Sequence, residues 1–289
     1  MKLLIAVCIA ALIYLWLIHP RISGGRRRRC RNLAGWNYAH RGLWSRAAGI
    51  PENSMEAFSR AAGAGYGIEL DVHVTADGFP VVFHDEELHR MCGVDGEVEE
   101  KTLPELQELR LGGTGHGIPL LSSVLELVQG RVPLLIELKV PTTDISMCPR
   151  VWSLLKNYEG DYLIESFNPL AVRWFRRHCP EVIAGQLSAR YSREDKNTSL
   201  MKFCSTTLLM NTISRPDFIS YNCRHTDVIG YRLNRRLFRV PVFLWTIRTE
   251  EDYGECLRQC DGIIFEKFLP PAHRTIKQET ANESDKSDP

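Results

Sequence analysis

Residues 67–85 read GIELDVHVTADGFPVVFHD, and this stretch decides the fold. It contains two strand-like runs, 67–72 and 79–83, on either side of a turn signal at 76–78. The spacing between the runs is too short for a parallel crossover, which takes about a dozen residues or more. The second run is therefore expected to return beside the first as the arm of a hairpin.

Outward from this hairpin, short runs rich in β-branched and aromatic residues alternate with amphipathic helical stretches. The predicted barrel strands are residues 36–40, 67–72, 132–138, 162–165, 182–186, 218–220, 242–245 and 262–265. Eight strands with mostly helical connections predict an α/β fold of the (β/α)8 TIM-barrel type over residues 36–270. The stretch 86–130 is too long for one connection, so residues 86–118 are expected to form a small insertion ahead of a helix at 121–127, whereas residues 271–289 are typical of a polar tail.

Composition limits the class of protein. The chain has 289 residues, 44% hydrophobic and 25% charged, so it can bury a core and is not disordered throughout. Lys and Arg number 36 against 35 Asp and Glu, a balance that argues against a nucleic-acid partner. The nine cysteines are scattered and odd in number, which disfavours a zinc site or a disulfide framework and favours a reducing compartment.

The first 35 residues differ from the rest. Residues 1–31 contain seven basic and no acidic residues, which leaves 29 basic against 35 acidic in the other 258. Residues 3–18 are all apolar, aromatic or Cys, so we expect a transmembrane anchor at 1–20, followed by a basic linker at 21–35. The arginines after the span place the barrel in the cytoplasm and would attract anionic lipids, although a stop-transfer flank explains them equally well. The alternatives are the signal peptide of an exported protein and a buried core helix.

Polar side chains collect where the predicted strands end. They are His40, Arg41, Glu69, Asp71, His84, Glu137 and Lys139. The carboxyl ends of barrel strands form one rim, so these seven are expected to converge there, although each alone has an ordinary structural explanation. Carboxylates suit a divalent cation, Mg²⁺ or Ca²⁺, the histidines suit acid and base roles, and the lysine and arginine suit a bound phosphate. Metal-assisted phosphodiester cleavage is the reaction class that uses every member.

These motifs closely resemble the glycerophosphodiester phosphodiesterase family. The matching segments are AHRG at 39–42, PENS at 51–54, ELDV at 69–72, DG at 77–78, VVFHD at 81–85 and IELK at 136–139, with a weaker likeness as far as residue 268. The resemblance implies a barrel with a small insertion, one divalent metal, and hydrolysis of a glycerophosphodiester to glycerol 3-phosphate and an alcohol. In this family the attacking group is water or the adjacent glycerol hydroxyl, and the second route passes through a cyclic phosphate.

The resemblance also implies a role for each matching residue. It assigns metal ligation to Glu69, Asp71 and Glu137, acid–base catalysis to His40 and His84, and substrate contacts to Arg41, Lys139, Glu52 and Trp245. Core filling is an equal alternative for Trp245. Asn53, next to Glu52, is expected to cap the following helix in a capping box with Glu56.

The likeness weakens near the end of the chain. Ile247-Arg248 stands where the family commonly has an Asn, and Phe265-Glu266 stands where it has a Thr-Asp pair. These changes are not expected to touch the metal or the histidines, but they leave the alcohol group open. Phe265 and the anchor suggest a lysophospholipid as a further substrate. The alternatives are a lyase of the sphingomyelinase D or phospholipase D type and a non-catalytic, membrane-anchored lipid-binding barrel.

Overall fold

The computed structural model describes residues 1–21, 23–190 and 199–273, so most of the predicted tail at 271–289 lies outside the described residues. The strands are β1 Asn37–His40, β2 Gly67–Val74, β3 Pro80–Val82, β4 Leu134–Leu138, β5 Tyr162–Ser166, β6 Ile183–Ser188, β7 Phe218–Asn222, β8 Val242–Ile247 and β9 Gly262–Phe265. The helices are α1 Lys2–Ile18, α2 Gly24–Ala34, α3 Met55–Gly63, α4 His89–Cys92, α5 Leu103–Gln107, α6 Leu121–Val128, α7 Met147–Leu155, α8 Pro169–His178, α9 Ser199–Thr206, α10 Asn211–Ser214, α11 Ile229–Arg236 and α12 Glu250–Cys256.

The strands close into an eight-stranded parallel barrel surrounded by helices. Strand β1 pairs with β9 on one side and with β2 on the other, and β8, β7, β6, β5 and β4 complete the ring. Strand β3 pairs antiparallel with β2, with Val72 opposite Val82, so it is the predicted hairpin arm. The predicted (β/α)8 barrel is confirmed, and each strand boundary lies within two residues of the one expected from the sequence.

Alternate residues of each strand point into the barrel and fill its amino-terminal end. The inner layer consists of Tyr38, Leu135, Leu163, Ile183, Phe218, Phe243 and Ile264, packed against Cys30, Leu33 and Ala34 of α2. Two glycines make room for the aromatic rings, because a Cβ at Gly185 or Gly262 would lie 2.3 Å from the ring of Phe218 or Phe243. Since this end is filled by apolar side chains, the polar inward positions lie at the carboxyl ends of the strands.

The segment predicted as a basic linker contains helix α2, which covers the amino-terminal end of the barrel. Arg26 holds it there, with Nε 2.8 Å from Asp217 Oδ1 and Nη2 2.5 Å from Asp217 Oδ2. Asp217 Oδ2 also accepts the main-chain N–H of Ala184 at 3.1 Å. Hydrogen bonding to Asp217 raises the pKa of Arg26, which keeps this half-buried guanidinium charged. Arg27, Arg29 and Arg31 also donate to main-chain carbonyls of the barrel part of the chain, so four members of the arginine cluster bind it.

Helix α1 spans 17 residues, or about 25 Å at 1.5 Å per residue, against a hydrocarbon core of about 30 Å. Its last turn is bonded to the barrel, because Asn211 Nδ2 donates to the Ile18 carbonyl and Arg215 donates to the Trp16 carbonyl. In the part of the chain that the structure describes, no helix is both long and apolar enough to cross a membrane. The predictions of a transmembrane helix at 1–20 and of a single-pass membrane protein with a cytoplasmic barrel are therefore wrong.

The region predicted as an insertion, residues 86–118, forms the short helices α4 and α5 and several tight turns. Its own small apolar cluster comprises Val81, Phe83, Leu88, Val98, Leu106, Leu111 and Ile118. Because this cluster includes residues of β3 and of the segment that follows it, the insertion packs onto the hairpin arm. Helix α4 thereby carries Arg90 to the edge of the barrel rim.

Candidate active site

The barrel register brings the predicted site residues together. His40 of β1 lies opposite Glu69 of β2, and Asp71 of β2 lies opposite Glu137 of β4. Because strand residues two apart share a face, Glu69 and Asp71 both point inward, as do Glu137 and Lys139. The same alternation would place Glu266 on the inward face that Gly262 and Ile264 of β9 occupy. The rim therefore collects charged side chains from both ends of the chain.

Three buried carboxylates form the centre of the site. Glu69, Asp71 and Glu137 each offer an oxygen, and these atoms lie within 4.8 Å of one another. Lys139 Nζ lies 2.8 Å from Asp71 Oδ1 and 2.7 Å from Glu137 Oε1. Burial raises the pKa of Glu69 well above its usual value, and the neighbouring charges of Asp71 and Glu137 add to the effect. Burial also raises the pKa of Glu137, against the opposing charge of Lys139.

Asp71 behaves differently from its two neighbours. Although burial opposes its ionisation, the charges of Lys139, His84, Arg41 and His40 hold the pKa of Asp71 well below its usual range. The three carboxylates supply hard oxygen donors, and their negative charge is only partly compensated by neighbouring groups. Such a donor set fits a divalent cation such as Mg²⁺ or Ca²⁺. Burial first, and then the charges of Asp71 and Glu137, disfavour the ionised form of Glu69 and raise its pKa, an effect that a bound cation would oppose.

Asn53 is a site residue that the sequence analysis assigned to another role. The cap of α3 is Ser54, whose hydroxyl accepts the Ala57 N–H at 3.2 Å, so the predicted capping by Asn53 with Glu56 is wrong. Asn53 is buried with a φ of 54°, and its Nδ2 donates to Asp71 Oδ2 at 2.9 Å. Asn tolerates this left-handed backbone better than most residues, which allows its side chain to turn into the rim.

His40 is held by a carboxylate from the last strand. Its Nδ1 lies 2.9 Å from Glu266 Oε2, and its Nε2 lies 4.0 Å from Glu69 Oε2. Since a carboxylate accepts, Nδ1 is the donor and Nε2 is left facing the carboxylates. Burial lowers the pKa of His40, and the hydrogen bond to Glu266 opposes this. The expectation that the Phe265-Glu266 departure would leave the histidines untouched is therefore wrong.

Glu266 is itself fixed by neighbouring charges. Its Oε1 accepts from Arg248 Nε, and Lys267 Nζ lies 3.9 Å away. Although burial opposes its ionisation, the hydrogen bond with His40 and the charge of Arg248 lower the pKa of Glu266 to about 2. The strand alternation of Gly262, Ile264 and Glu266 is the sequence signal that could have identified this residue.

His84 is oriented in the same way by its neighbour along the chain. Its Nδ1 lies 2.6 Å from Asp85 Oδ1, which leaves Nε2 available to a substrate. Arg90 of α4 donates to both oxygens of Asp85, and its Nη2 donates to Glu52 Oε1 at 2.6 Å. Glu52 also accepts from Arg41 Nη1 at 2.6 Å. The insertion thus supplies the link between the two halves of the rim, which sequence reasoning missed.

Two aromatic residues near the rim, Trp245 and Phe265, point in different directions. Trp245 is half-buried above the inner apolar layer, and its ring meets Phe167 edge to face at 5.9 Å between centroids. Phe265 points outward from β9 and is buried against Tyr66 and Phe268. The side-chain alternation of β9 turns Phe265 away from the rim, so this residue gives no support to the suggested lysophospholipid substrate.

A cavity of about 940 Å³ opens from the site. His84, Glu137 and Lys139 line one end of it. From there it extends past Phe167, which follows β5, to Met210 and Ile213 beside and within α10.

The structure brings together six of the nine predicted site residues, namely the carboxylates Glu69, Asp71 and Glu137 and, next to them, His40, Arg41 and Lys139. His84 and Glu52 are joined to this group through Arg41 and Arg90. Trp245 lies above the inner apolar layer.

The chain is similar to one enzyme family over most of its length. Residues 40–268 match the family model described as the glycerophosphoryl diester phosphodiesterase family. A glycerophosphodiester phosphodiesterase of Caldanaerobacter subterraneus subsp. tengcongensis is 32% identical over 240 residues, which cover 78% of this chain and 91% of that relative. A lysophospholipase D of Homo sapiens is 29% identical over 163 residues, 52% of this chain and 49% of that relative. The fold matches an Oleispira antarctica phosphodiesterase solved with its product sn-glycerol-3-phosphate, with a TM-score of 0.66, 23% identity and coverage of 82% and 94%.

Proposed function

We propose, because the chain belongs to the glycerophosphoryl diester phosphodiesterase family, that it hydrolyses glycerophosphodiesters to glycerol 3-phosphate and an alcohol in a metal-dependent reaction. One observation carries the proposal. Two histidines, each with a carboxylate on Nδ1, flank a buried cluster of three carboxylates that also holds a lysine. Proton transfer, anion binding and cation binding are then available at one rim.

The proposed metal ligands are Glu69, Asp71 and Glu137. A divalent cation bound there would supply positive charge to the phosphate oxygens of the substrate. Asn53 and Lys139 fix the Asp71 carboxylate from two sides, which holds this ligand in place. The donor set suits Mg²⁺ and Ca²⁺ equally, so both belong in the assay.

The proposed proton transfers use the free Nε2 atoms of the two histidines. One of them removes a proton from the attacking group, and the other protonates the oxygen of the leaving alcohol. Lys139 and Arg41 carry the charges that would bind the phosphate oxygens. Trp245 would pack against the glycerol or alcohol portion of the substrate. The attacking group is water or the neighbouring glycerol hydroxyl, and the second choice gives a cyclic phosphate that water then opens.

A substrate panel tests this proposal. Glycerophosphocholine and glycerophosphoethanolamine would be assayed with Mg²⁺ and with Ca²⁺, and EDTA should abolish turnover that either metal restores. His40→Ala and His84→Ala should each lower kcat by about 10²–10⁴-fold, because general acid–base catalysis contributes about that much. His178→Ala, at an exposed histidine of α8, is the matched control and should retain full activity. Full activity in either rim variant would contradict the proposed mechanism.

Product analysis separates hydrolysis from the related lyase reaction. Phosphorus NMR should show glycerol 3-phosphate as the final product, with any cyclic phosphate only transient. A cyclic phosphate that persists would instead indicate a lyase of the sphingomyelinase D or phospholipase D type. Absence of metal-dependent turnover on every substrate would favour a non-catalytic lipid-binding barrel.

Lysophospholipids are a second candidate substrate class. The similarity to a lysophospholipase D of Homo sapiens favours them, although it covers only about half of each chain. Such a substrate contains the same glycerophosphodiester group with one fatty acyl chain on the glycerol. The same rim chemistry would therefore serve both classes, provided that the acyl chain has a place to bind.

A further inference from the structure

The cavity that opens from the rim has charged side chains at one end only. His84, Asp85, Arg90, Glu137 and Lys139 are among the residues that line the catalytic end. Beyond Lys139 the described lining residues carry no charge. We call this uncharged part the apolar arm and define it by Pro141, Phe167, Leu170, Met201, Met210 and Ile213. One continuous space thus passes from ionic to uncharged, mainly apolar surroundings, in which hydroxyl and amide side chains lie between the apolar ones.

The arm is built from three separate parts of the barrel surface. Pro141 follows β4, Phe167 and Leu170 lie where β5 leads into α8, and Met201 lies on α9. Met210 immediately precedes α10. Methionine side chains are flexible and polarisable, so they adapt to apolar ligands of variable shape. The arm is therefore a wall contributed by neighbouring connections and continuous with the catalytic rim.

The size of the cavity argues against a small polar substrate as its sole occupant. About 940 Å³ is near the upper end of the ~300–1,000 Å³ range of ligand pockets. A glycerophosphodiester with a choline or ethanolamine group is small and polar throughout, and the apolar arm offers it no ionic partner. An amphiphile whose phosphate binds beside Lys139 would instead match both ends of the cavity.

We propose that the apolar arm binds the fatty acyl chain of a lysophospholipid while its phosphodiester lies at the catalytic rim. This inference rests on the proposed function, because it uses the same phosphodiester chemistry. Water adds across the phosphorus–oxygen bond to the alcohol. Lysophosphatidylcholine thereby gives choline and a monoacylglycerol 3-phosphate, with one proton released to solvent at neutral pH.

A series of acyl-chain lengths tests the inference on the unmodified enzyme. Hexanoyl, octanoyl and decanoyl lysophosphatidylcholine would be assayed below their micelle-forming concentrations, with glycerophosphocholine as the reference and choline release as the readout. Full burial of one methylene is worth about 0.8 kcal/mol, or about fourfold in a binding constant. Because the arm is partly open to solvent, we expect kcat/KM to rise about two- to fourfold per methylene.

Two substitutions locate the effect in the arm. Met201→Glu and Ile213→Glu place a charge on partly exposed wall positions, whose side chains are 51% and 38% exposed, so the fold should tolerate them. Each should lower kcat/KM for the decanoyl substrate by at least about tenfold and change glycerophosphocholine turnover by less than about twofold. Leu237→Glu, at a 55% exposed leucine that follows α11, is the matched control and should change neither.

The possible outcomes separate this inference from the function on which it rests. If the enzyme cleaves glycerophosphocholine but shows no dependence on chain length, the inference is refuted and the proposed function stands. If it cleaves neither class, both fail. Equal losses on both substrates in the two arm variants would also refute the inference, because the arm would then not discriminate between them. The chain-length series needs no variant, so a variant that fails to fold leaves the test intact.

Discussion

Replacing Glu266 with Gln is expected to weaken catalysis through His40. Glu266 Oε2 accepts from His40 Nδ1 at 2.9 Å, and this bond leaves Nε2 toward the carboxylates. Glutamine has the same length but no charge, and its single amide oxygen can accept from only one of the two donors, His40 Nδ1 or Arg248 Nε. The substitution therefore removes the negative charge from the pair while changing the packing little. His40 would no longer have a carboxylate to stabilise its protonated form.

The magnitude follows from the strength of this hydrogen bond. Bonds to a charged group are worth about 1.5–3 kcal/mol and neutral bonds about 0.5–1.5 kcal/mol, so the difference between the midpoints of the two ranges is about 1.25 kcal/mol. That energy corresponds to about one pKa unit for His40 and about tenfold in rate. A carboxylate raises the pKa of a neighbouring histidine, so its removal lowers the pKa of His40. The limb of the pH–rate profile that His40 governs should move about one unit to lower pH, whether His40 begins as base or as acid.

The assay is kcat/KM for glycerophosphocholine from pH 5 to 9 with saturating metal. Glu266→Asp keeps the charge, so its limb should stay closer to that of the wild type even if its rate falls. Glu255→Gln, at an exposed carboxylate on α12, is the matched control. If Glu266→Gln retains both the wild-type limb and a kcat/KM within about twofold of the control, Glu266 does not position His40.

Two further predictions concern charges outside the carboxylate cluster. Arg90→Met should lower kcat about three- to tenfold without unfolding the protein, because it breaks the ion pairs that hold Asp85, the partner of His84. Steady-state kinetics together with a urea unfolding curve would check this prediction. An unchanged kcat would contradict it. Asp217→Asn should destabilise the protein by about 3 kcal/mol in urea, because it removes the buried countercharge of the half-buried Arg26. Asp161→Asn is the matched control, because Asp161 is exposed and its loss should lower the free energy of unfolding by less than about 1 kcal/mol. Equal destabilisation by the two substitutions would contradict this prediction.

Much of the barrel could be predicted from the sequence because its strands carry a strong local signal. Short β-branched runs separated by amphipathic helices specify a parallel barrel, and the short turn before Phe79 distinguishes a hairpin arm from a ninth barrel strand. The convergence of the carboxylates with His40 and His84 could also be predicted from the sequence, since strand ends in a barrel share one rim. The alternation of side chains then determines which residues of each strand meet there.

The missed features depend on contacts between distant parts of the chain. Arg90 lies in an insertion without a repeating pattern, so nothing local shows that it reaches Glu52. Asn53 looked like a helix cap because Asn is a common capping residue, but Ser54 takes that role and frees it. The apolar composition of α1 suggested a membrane span. Where this helix ends, and what its last turn bonds to, depend on tertiary structure that the local sequence does not show.

The seam where the ring closes has a consequence for how the enzyme matures. Strand β1 lies between β2 and β9, so His40 receives one carboxylate neighbour from near the start of the chain and the other from its end. A growing polypeptide that has not yet reached residue 266 lacks the partner of His40, however well its earlier strands have folded. Premature or truncated chains would therefore be poor catalysts, and the onset of activity would mark completion of the barrel during synthesis.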